Sequence, residues 1–160
     1  MIRRVVALAA VLFVVSGVAA FTAAAAGNVE GTFVVAGKDA QLKYARAVRT
    51  KLDEKGTMGF VLLLSARTAT GDIERWRTAE PSERGSFIVL VLDPSGAVWV
   101  AELGHAAAKS GRFGVVSEVK TSGFKVTGDQ LTVTVRTDGE QRFTDDRYSI
   151  NLKVDATIEQ

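Results

Sequence analysis

The segment YSINLKVDATI, from Tyr148 to Ile158, decides the fold class because apolar and polar residues alternate along it. Successive side chains of a β-strand point to opposite faces of the sheet. One face of this segment carries tyrosine, isoleucine, leucine, valine and alanine, whereas the other carries serine, asparagine, lysine and aspartate. The pattern predicts a long strand with one face in a hydrophobic core and the other in solvent.

Two earlier runs, FVLLL at 60–64 and FIVLVL at 87–92, are apolar at every position. A strand with no polar face is typical of a position covered on both sides. The second run ends at Asp93-Pro94-Ser95-Gly96, a sequence that favours a tight turn. We therefore expect these two runs in the middle of the sheet.

Shorter β-type runs complete the predicted sheet, and they span residues 29–35, 42–48, 98–103, 115–120, 124–126 and 131–136. The Gly37-Lys38-Asp39 turn predicts a hairpin between the first two. In the run after the Pro94 turn, strict alternation places Val98 and Val100 on one face and Trp99 and Ala101 on the other.

Residues 72–79 interrupt the β pattern with helical spacing, and Pro81 lies just beyond them. A short helix or lid is predicted there, with Ile73 and Trp76 on its apolar side. Together the patterns predict an all-β, mainly antiparallel fold: a single-domain β-sandwich or partly open β-barrel of about eight strands.

The amino terminus has the layout of an export signal. Arg3 and Arg4 precede an uncharged stretch from Val5 to Ala26. We expect a helical signal peptide over residues 1–26, cleaved near Ala26, and a single β domain over 27–160. The alternative is a signal retained as a membrane anchor. The chain is thus expected to be exported, either periplasmic or secreted.

Charge and cysteine content argue against several classes of function. Arg3 and Arg4 account for the whole excess of twenty basic over eighteen acidic residues, so the predicted domain is balanced and no nucleic-acid partner is expected. The chain has no cysteine, which excludes disulfides, thiolate nucleophiles and cysteine metal sites. No nucleotide motif is present, and no cofactor is predicted.

His105 is the sole histidine, and it follows a predicted strand end. Its ordinary pKa near neutrality makes it a candidate general base. Ser65, Ser86 and Ser110 lie in no nucleophile-elbow sequence, so the sequence shows no complete catalytic set. The sequence therefore favours an exposed loop or turn histidine over a general base.

Four carboxylates surround the turn before the last strand: Asp138, Glu140, Asp145 and Asp146. Oxygen ligands in a loop are what calcium prefers, which makes this group a candidate calcium site. Arginines at 136, 142 and 147 are interleaved with them and favour a solvated hairpin end instead.

Two further groups are candidates for binding. An aromatic platform for a sugar or an apolar ligand would use Trp76 and Trp99 with Tyr44, Tyr148, Phe113 and Phe143, although such aromatics more often belong to a core. His105 is a further candidate ligand-binding residue. A basic group could attract an anionic polymer or lipid surface, or could protect an edge strand. Its members are Lys43, Arg46, Arg49, Lys51 and Lys55.

These observations favour a non-catalytic exported β domain that binds a small molecule or an envelope protein. One alternative is a hydrolase acting on envelope polymers, with His105 and a late acidic residue as proton carriers. Another is a structural or assembly subunit that pairs through a sheet edge.

Overall fold

A computed structural model describes residues 27–160. The predicted signal peptide, its cleavage near Ala26 and the alternative membrane anchor lie outside the described residues. Within the described part, eleven strands form one sheet: β1 Gly27–Val35, β2 Lys38–Asp39, β3 Tyr44–Lys51, β4 Met58–Ser65, β5 Phe87–Leu92, β6 Val98–Gly104, β7 Arg112–Val115, β8 Val119–Thr127, β9 Gln130–Thr137, β10 Gln141–Phe143 and β11 Asp146–Glu159. A 3₁₀ helix, Ile73–Thr78, and helix α1, Pro81–Arg84, lie between β4 and β5.

The sheet is mainly antiparallel and curls into an open half-barrel. Its strand order is β7-β6-β5-β4-β3-β1-β11-β9-β8, with the short β2 and β10 paired to β1 and β11. One parallel pairing joins β11 to β3. The all-β prediction is confirmed, and of the two predicted architectures the partly open barrel is closer, because a sandwich needs two separate sheets.

Strand β11 has the alternation that its sequence predicts. From Tyr148 to Ile158 every second side chain is buried, while the residues between them are exposed or half-buried. The buried side chains join one continuous core to which most of the larger strands contribute, including Phe33, Leu62 and Leu90. This core fills the concave side of the curled sheet.

Strands β4 and β5 are covered on both faces, as their apolar sequences predict. Alternate residues face the main core, and Val61, Leu63 and Val89 face a second cluster on the outside of the sheet. That cluster is closed by Ile73 and Trp76 from the 3₁₀ helix, both buried. The predicted helical segment is therefore a cover for the two central strands.

Two predictions about strand pairing need correction. Strand β1 pairs along its length with β11 and meets β3 only at Gly27 and Asn28, while the turn at Gly37 leads into the two-residue β2. The predicted strand 115–120 is divided, because β7 ends at Val115 and β8 begins at Val119. Strands that pair across a long stretch of sequence leave no local pattern, so the sequence does not predict which strands pair.

The predicted alternation in β6 is also wrong, because the register with β5 shifts between Val91 and Leu92. Val100 pairs with Val91 and Val98 pairs with Leu92, which leaves Trp99 as the extra residue of a β-bulge. Val98 packs against the main core, whereas Val100 packs against the outer cluster. The bulge therefore brings Trp99 and Val100 to the same outer surface.

Among residues 27–160, no helix has the length and apolar character needed to cross a membrane.

Candidate functional site

The loop after β6 positions the sole histidine. The His105 N–H donates to the Gly111 carbonyl and the Ala108 N–H donates to the His105 carbonyl, both at 3.0 Å, so the chain reverses tightly into β7. The Lys109 N–H donates to both carboxylate oxygens of Asp146, at 3.2 and 2.9 Å. Because Asp146 begins β11 and is buried, it anchors this loop to the start of β11.

The prediction of an exposed loop histidine is wrong, because the His105 ring is buried, with 3% of the residue exposed. Its Nδ1 accepts a hydrogen bond from the Ala107 N–H at 2.9 Å, so the neutral ring carries its proton on Nε2. The buried Nε2 makes no hydrogen bond of normal geometry within the described part of the protein. Phe33 packs edge-to-face against the ring, with centroids 5.2 Å apart.

Burial lowers the pKa of the His105 ring below its ordinary value of 6.5. The nearby Lys38 carbonyl and the carboxylates of Asp39 and Asp146 favour the protonated ring and offset part of this effect. The net result favours neutral imidazole, and its Nε2–H is a hydrogen-bond donor.

An open pocket of about 230 Å³ adjoins this ring. Its wall consists of polar residues and alanines from three places in the sequence: Lys38, Asp39, Ala40, Ser86, His105, Ala106 and Ala107. The Ser86 Oγ accepts from the Ala106 N–H at 3.3 Å, and no bond joins this hydroxyl to His105. The Asp39 carboxylate accepts from the Phe33 N–H and from the Gln41 side chain.

Sequence reasoning identified His105 but missed two of the polar residues that share its pocket. Ser86 was considered only as a nucleophile, and Asp39 only as part of a turn. Their positions gave a partial signal, since Ser86 precedes the apolar run of β5 and Asp39 lies in a turn beside β1. Nothing local in the sequence indicates that these two places meet the loop after β6.

The four predicted ligand-binding residues do not form one platform. Trp76 is buried in the outer cluster, where its ring packs edge-to-face on Phe87 and lies beneath the Arg84 guanidinium. Trp99 is 46% exposed, and Tyr44 is half-buried at the start of β3. Only His105 lines the pocket described above.

A second groove, of about 250 Å³, surrounds Trp99 on the outer face of the sheet. Leu52, Val91 and Val100 supply its apolar part. Its polar part consists of Thr50, Lys51, Glu74 and Arg77. This groove lies at the opposite end of β6 from His105.

The four acids of the candidate calcium site have separate partners. Asp138 pairs with Lys120 and lies 3.7 Å from Arg136. Glu140 pairs with Arg147 at 3.2 Å. Asp145 lies 3.9 Å from the Lys109 ammonium, and Asp146 accepts a hydrogen bond from the Lys109 N–H. Within residues 27–160, no three histidine or acidic side chains lie close enough together to hold a metal ion.

The basic group on and around β3 does not protect an edge strand, because β3 lies between β4 and the pair β1 and β11. Arg46 forms a two-pronged ion pair with Glu159, at 2.5 and 2.6 Å, and donates to the carbonyls of Ala69 and Gly71. The Arg49 guanidinium lies over the Phe60 ring. These two cations therefore stabilise the fold locally.

Comparison of the chain with protein-family models, with curated proteins and with solved structures finds no match.

Proposed function

We propose that this chain is an exported, non-catalytic binding domain that holds a small polar group of its ligand in the pocket beside His105. The observation that carries the proposal is the buried Nε2–H, which has the Lys38 carbonyl nearby but makes no hydrogen bond of normal geometry among the described residues. Leaving such a donor unpaired costs about 1–3 kcal/mol. A ligand oxygen that accepts this hydrogen bond recovers that free energy on binding.

The hydrogen bonds of the ring support binding more than proton abstraction. A histidine acting as a base needs a free lone pair, and in the neutral ring only Nδ1 has one. That lone pair already accepts from the Ala107 N–H. The ring therefore keeps a donor at its buried Nε2, at the wall of the pocket, and the Ser86 hydroxyl can supply a second one.

The pocket favours a neutral amide over an anion. Lys38 and Asp39 bring opposite charges to the same wall, so the pocket has no net positive charge to attract an anion, and the Asp39 carboxylate can accept an amide N–H. The side chains of Ala40, Ala106 and Ala107 offer contacts for a methyl group. An acetamido group has all three features: a carbonyl acceptor, an N–H donor and a methyl.

Acetamide is the probe that tests this proposal, with acetate as its charged counterpart. Because the chain has one histidine, its ring resonances in a nuclear magnetic resonance spectrum are unambiguous. We expect acetamide to shift the His105 Nε2 resonance in a saturable way and acetate to do so less. An absence of saturable shifts with acetamide would contradict the proposal.

His105→Asn is the matched variant. The asparagine carbonyl can replace Nδ1 as the acceptor for the Ala107 N–H while removing the donor at Nε2. We expect loss of acetamide binding, followed on the amide signals of the loop, with the fold retained. Val116→Ala is the control, since Val116 is exposed and lies outside the pocket.

A hydrolase is the second candidate, because Ser86, His105 and Asp39 all line one pocket. Its requirement is a hydrogen bond from the serine to the histidine and from the histidine to the acid, and among the described residues neither is present. Hydrolysis of p-nitrophenyl acetate distinguishes the two functions. The binding proposal predicts that wild type and Ser86→Ala hydrolyse this ester at the same rate. A rate that falls in Ser86→Ala would support the hydrolase.

Export is tested separately by the mass of the protein recovered outside the cytoplasm. We expect a chain that begins near Gly27 and lacks Arg3 and Arg4. A recovered chain that still contains both arginines would contradict cleavage.

A further inference from the structure

We propose that the groove around Trp99 is a second binding site, separate from the His105 pocket, and that it takes an acidic saccharide. The proposal starts from the bulge in β6, which inserts Trp99 as an extra residue opposite Val91 and Leu92. Bulges commonly redirect a side chain, and here the bulge brings a tryptophan to the outer surface beside Val100.

The apolar surface of this groove matches the size of a sugar ring. Among the described residues, the large apolar side chains that are exposed are Met58, Trp99 and Val116, and of these only Trp99 lines the groove. A protein interface usually has several such side chains clustered at its centre. A single indole face in a groove of about 250 Å³ instead suits the C–H face of one pyranose.

The charged residues around the indole favour an acidic sugar. Lys51 and Arg77 bring two cations to the groove, and Glu74 brings one acid. Glu74 lies 3.5 Å from the Arg77 guanidinium, and both side chains are partly exposed. One positive charge therefore remains uncompensated within the groove, which complements the carboxylate of a uronic acid.

Arg77 is held in position by its own helix. It lies in the last turn of the 3₁₀ helix, and the buried Trp76 beside it fixes that helix against the sheet. The Arg77 carbonyl also accepts from the Arg112 guanidinium of β7. The groove is therefore built from four anchored parts: the end of β3, the 3₁₀ helix, the end of β5 and the bulged start of β6.

Tryptophan fluorescence tests the proposal, because the chain has two tryptophans with opposite exposure. Trp76 is 2% exposed and Trp99 is 46% exposed, so acrylamide quenches mainly Trp99. The probe is trigalacturonic acid, with maltotriose as the uncharged comparison. We expect trigalacturonic acid to protect Trp99 from quenching in a saturable way and to bind more tightly than maltotriose.

Two variants separate the contribution of charge to saccharide binding from that of stacking on the indole. Arg77→Gln should weaken the binding of trigalacturonic acid about tenfold and leave the binding of maltotriose little changed. The substitution removes one cation and keeps the stacking surface. Calorimetry should detect no binding of trigalacturonic acid to Trp99→Ala and unchanged binding to Val116→Ala. His105→Asn should not affect it, so failure at this site is distinguishable from failure at the His105 pocket.

The proposal is overturned if trigalacturonic acid gives no saturable protection of wild-type Trp99. It is also overturned if poly-glutamate protects Trp99 while the saccharide does not, since the groove would then be a site for an acidic peptide.

Discussion

At the scale of single residues, the hydrogen bonding and the pKa of His105 are set by the residues around its ring. Phe33 packs against its ring, Ala107 occupies its Nδ1, and burial lowers its pKa. The folded protein thus binds a proton at this ring less readily than the unfolded chain does. Folding and protonation of His105 therefore oppose each other.

The free energy of unfolding should fall as the pH is lowered through the unfolded-state pKa near 6.5, and the loss should be complete only below the folded pKa. Urea denaturation at about pH 7.5 and about pH 5 measures the change. His105→Asn should remove most of this pH dependence. An equal slope in the variant would show that other groups cause it.

The carboxylates titrate in a separate range of pH. Hydrogen bonds from Thr57, Ser95 and Lys120 lower the pKa values of Asp53, Asp93 and Asp138 below their ordinary value of 3.8. Their contributions to stability are present above that pH and are lost only as the pH falls below it. They should not mask the effect of His105.

The sequence identified His105 as a candidate because of its residue type alone. Its burial and the occupation of Nδ1 depend on the conformation of the loop and on Asp146, which lies 41 positions later in the chain. Trp76 shows the same limit, since helical spacing predicts that it is covered but cannot name the strands beneath it.

At the scale of secondary-structure elements, the segment between β4 and β5 depends on Arg46. The guanidinium joins β3 to Glu159 of β11 and to the carbonyls of Ala69 and Gly71. Both side chains of the ion pair are largely shielded from water, so the pair should contribute more than an exposed one. Without it, the segment would be held mainly by Ile73 and Trp76.

Arg46→Gln should increase local opening of residues 66–79, with amide hydrogen exchange there about tenfold faster. Exchange in β11 near Tyr148 should change less. Arg147→Gln is the matched control, because Arg147 pairs with Glu140 in a largely exposed position. Equal exchange in both variants and the wild type would contradict the role given to Arg46.

Element types were more predictable than their pairings. The alternation in β11 and the unbroken apolar runs of β4 and β5 report burial directly, so those strands were predicted. The bulge at Trp99 was not, because strict alternation has no place for an extra residue. Pairing of β1 with β11 joins residues more than a hundred positions apart, and no local pattern records such a contact.

At the scale of the whole molecule, the edge strand β8 of the open half-barrel approaches the turn between β5 and β6. Phe124 packs against Phe60 and lies directly against Gly96, and the Thr121 hydroxyl donates to the Gly96 carbonyl at 2.5 Å. A Cβ on Gly96 would lie 2.2 Å from the Phe124 ring. This glycine therefore permits β8 to pack against the turn between β5 and β6.

Gly96→Ala should lower the free energy of unfolding by about 1–3 kcal/mol more than Gly128→Ala. Both glycines have a positive φ, but a Cβ at Gly128 meets nothing within 4 Å. The difference measured by urea denaturation therefore isolates the contact with Phe124. Equal losses would mean that β8 does not pack against this turn as described.

The most direct test of the whole account is the protonation state of the sole histidine. Long-range ¹H–¹⁵N correlation spectra distinguish the two neutral tautomers and the charged ring. At pH 7 we predict neutral imidazole with its proton on Nε2 and an unprotonated Nδ1. A charged ring, or a neutral ring with its proton on Nδ1, would contradict the hydrogen bond from Ala107 and the donor on which the proposed function depends.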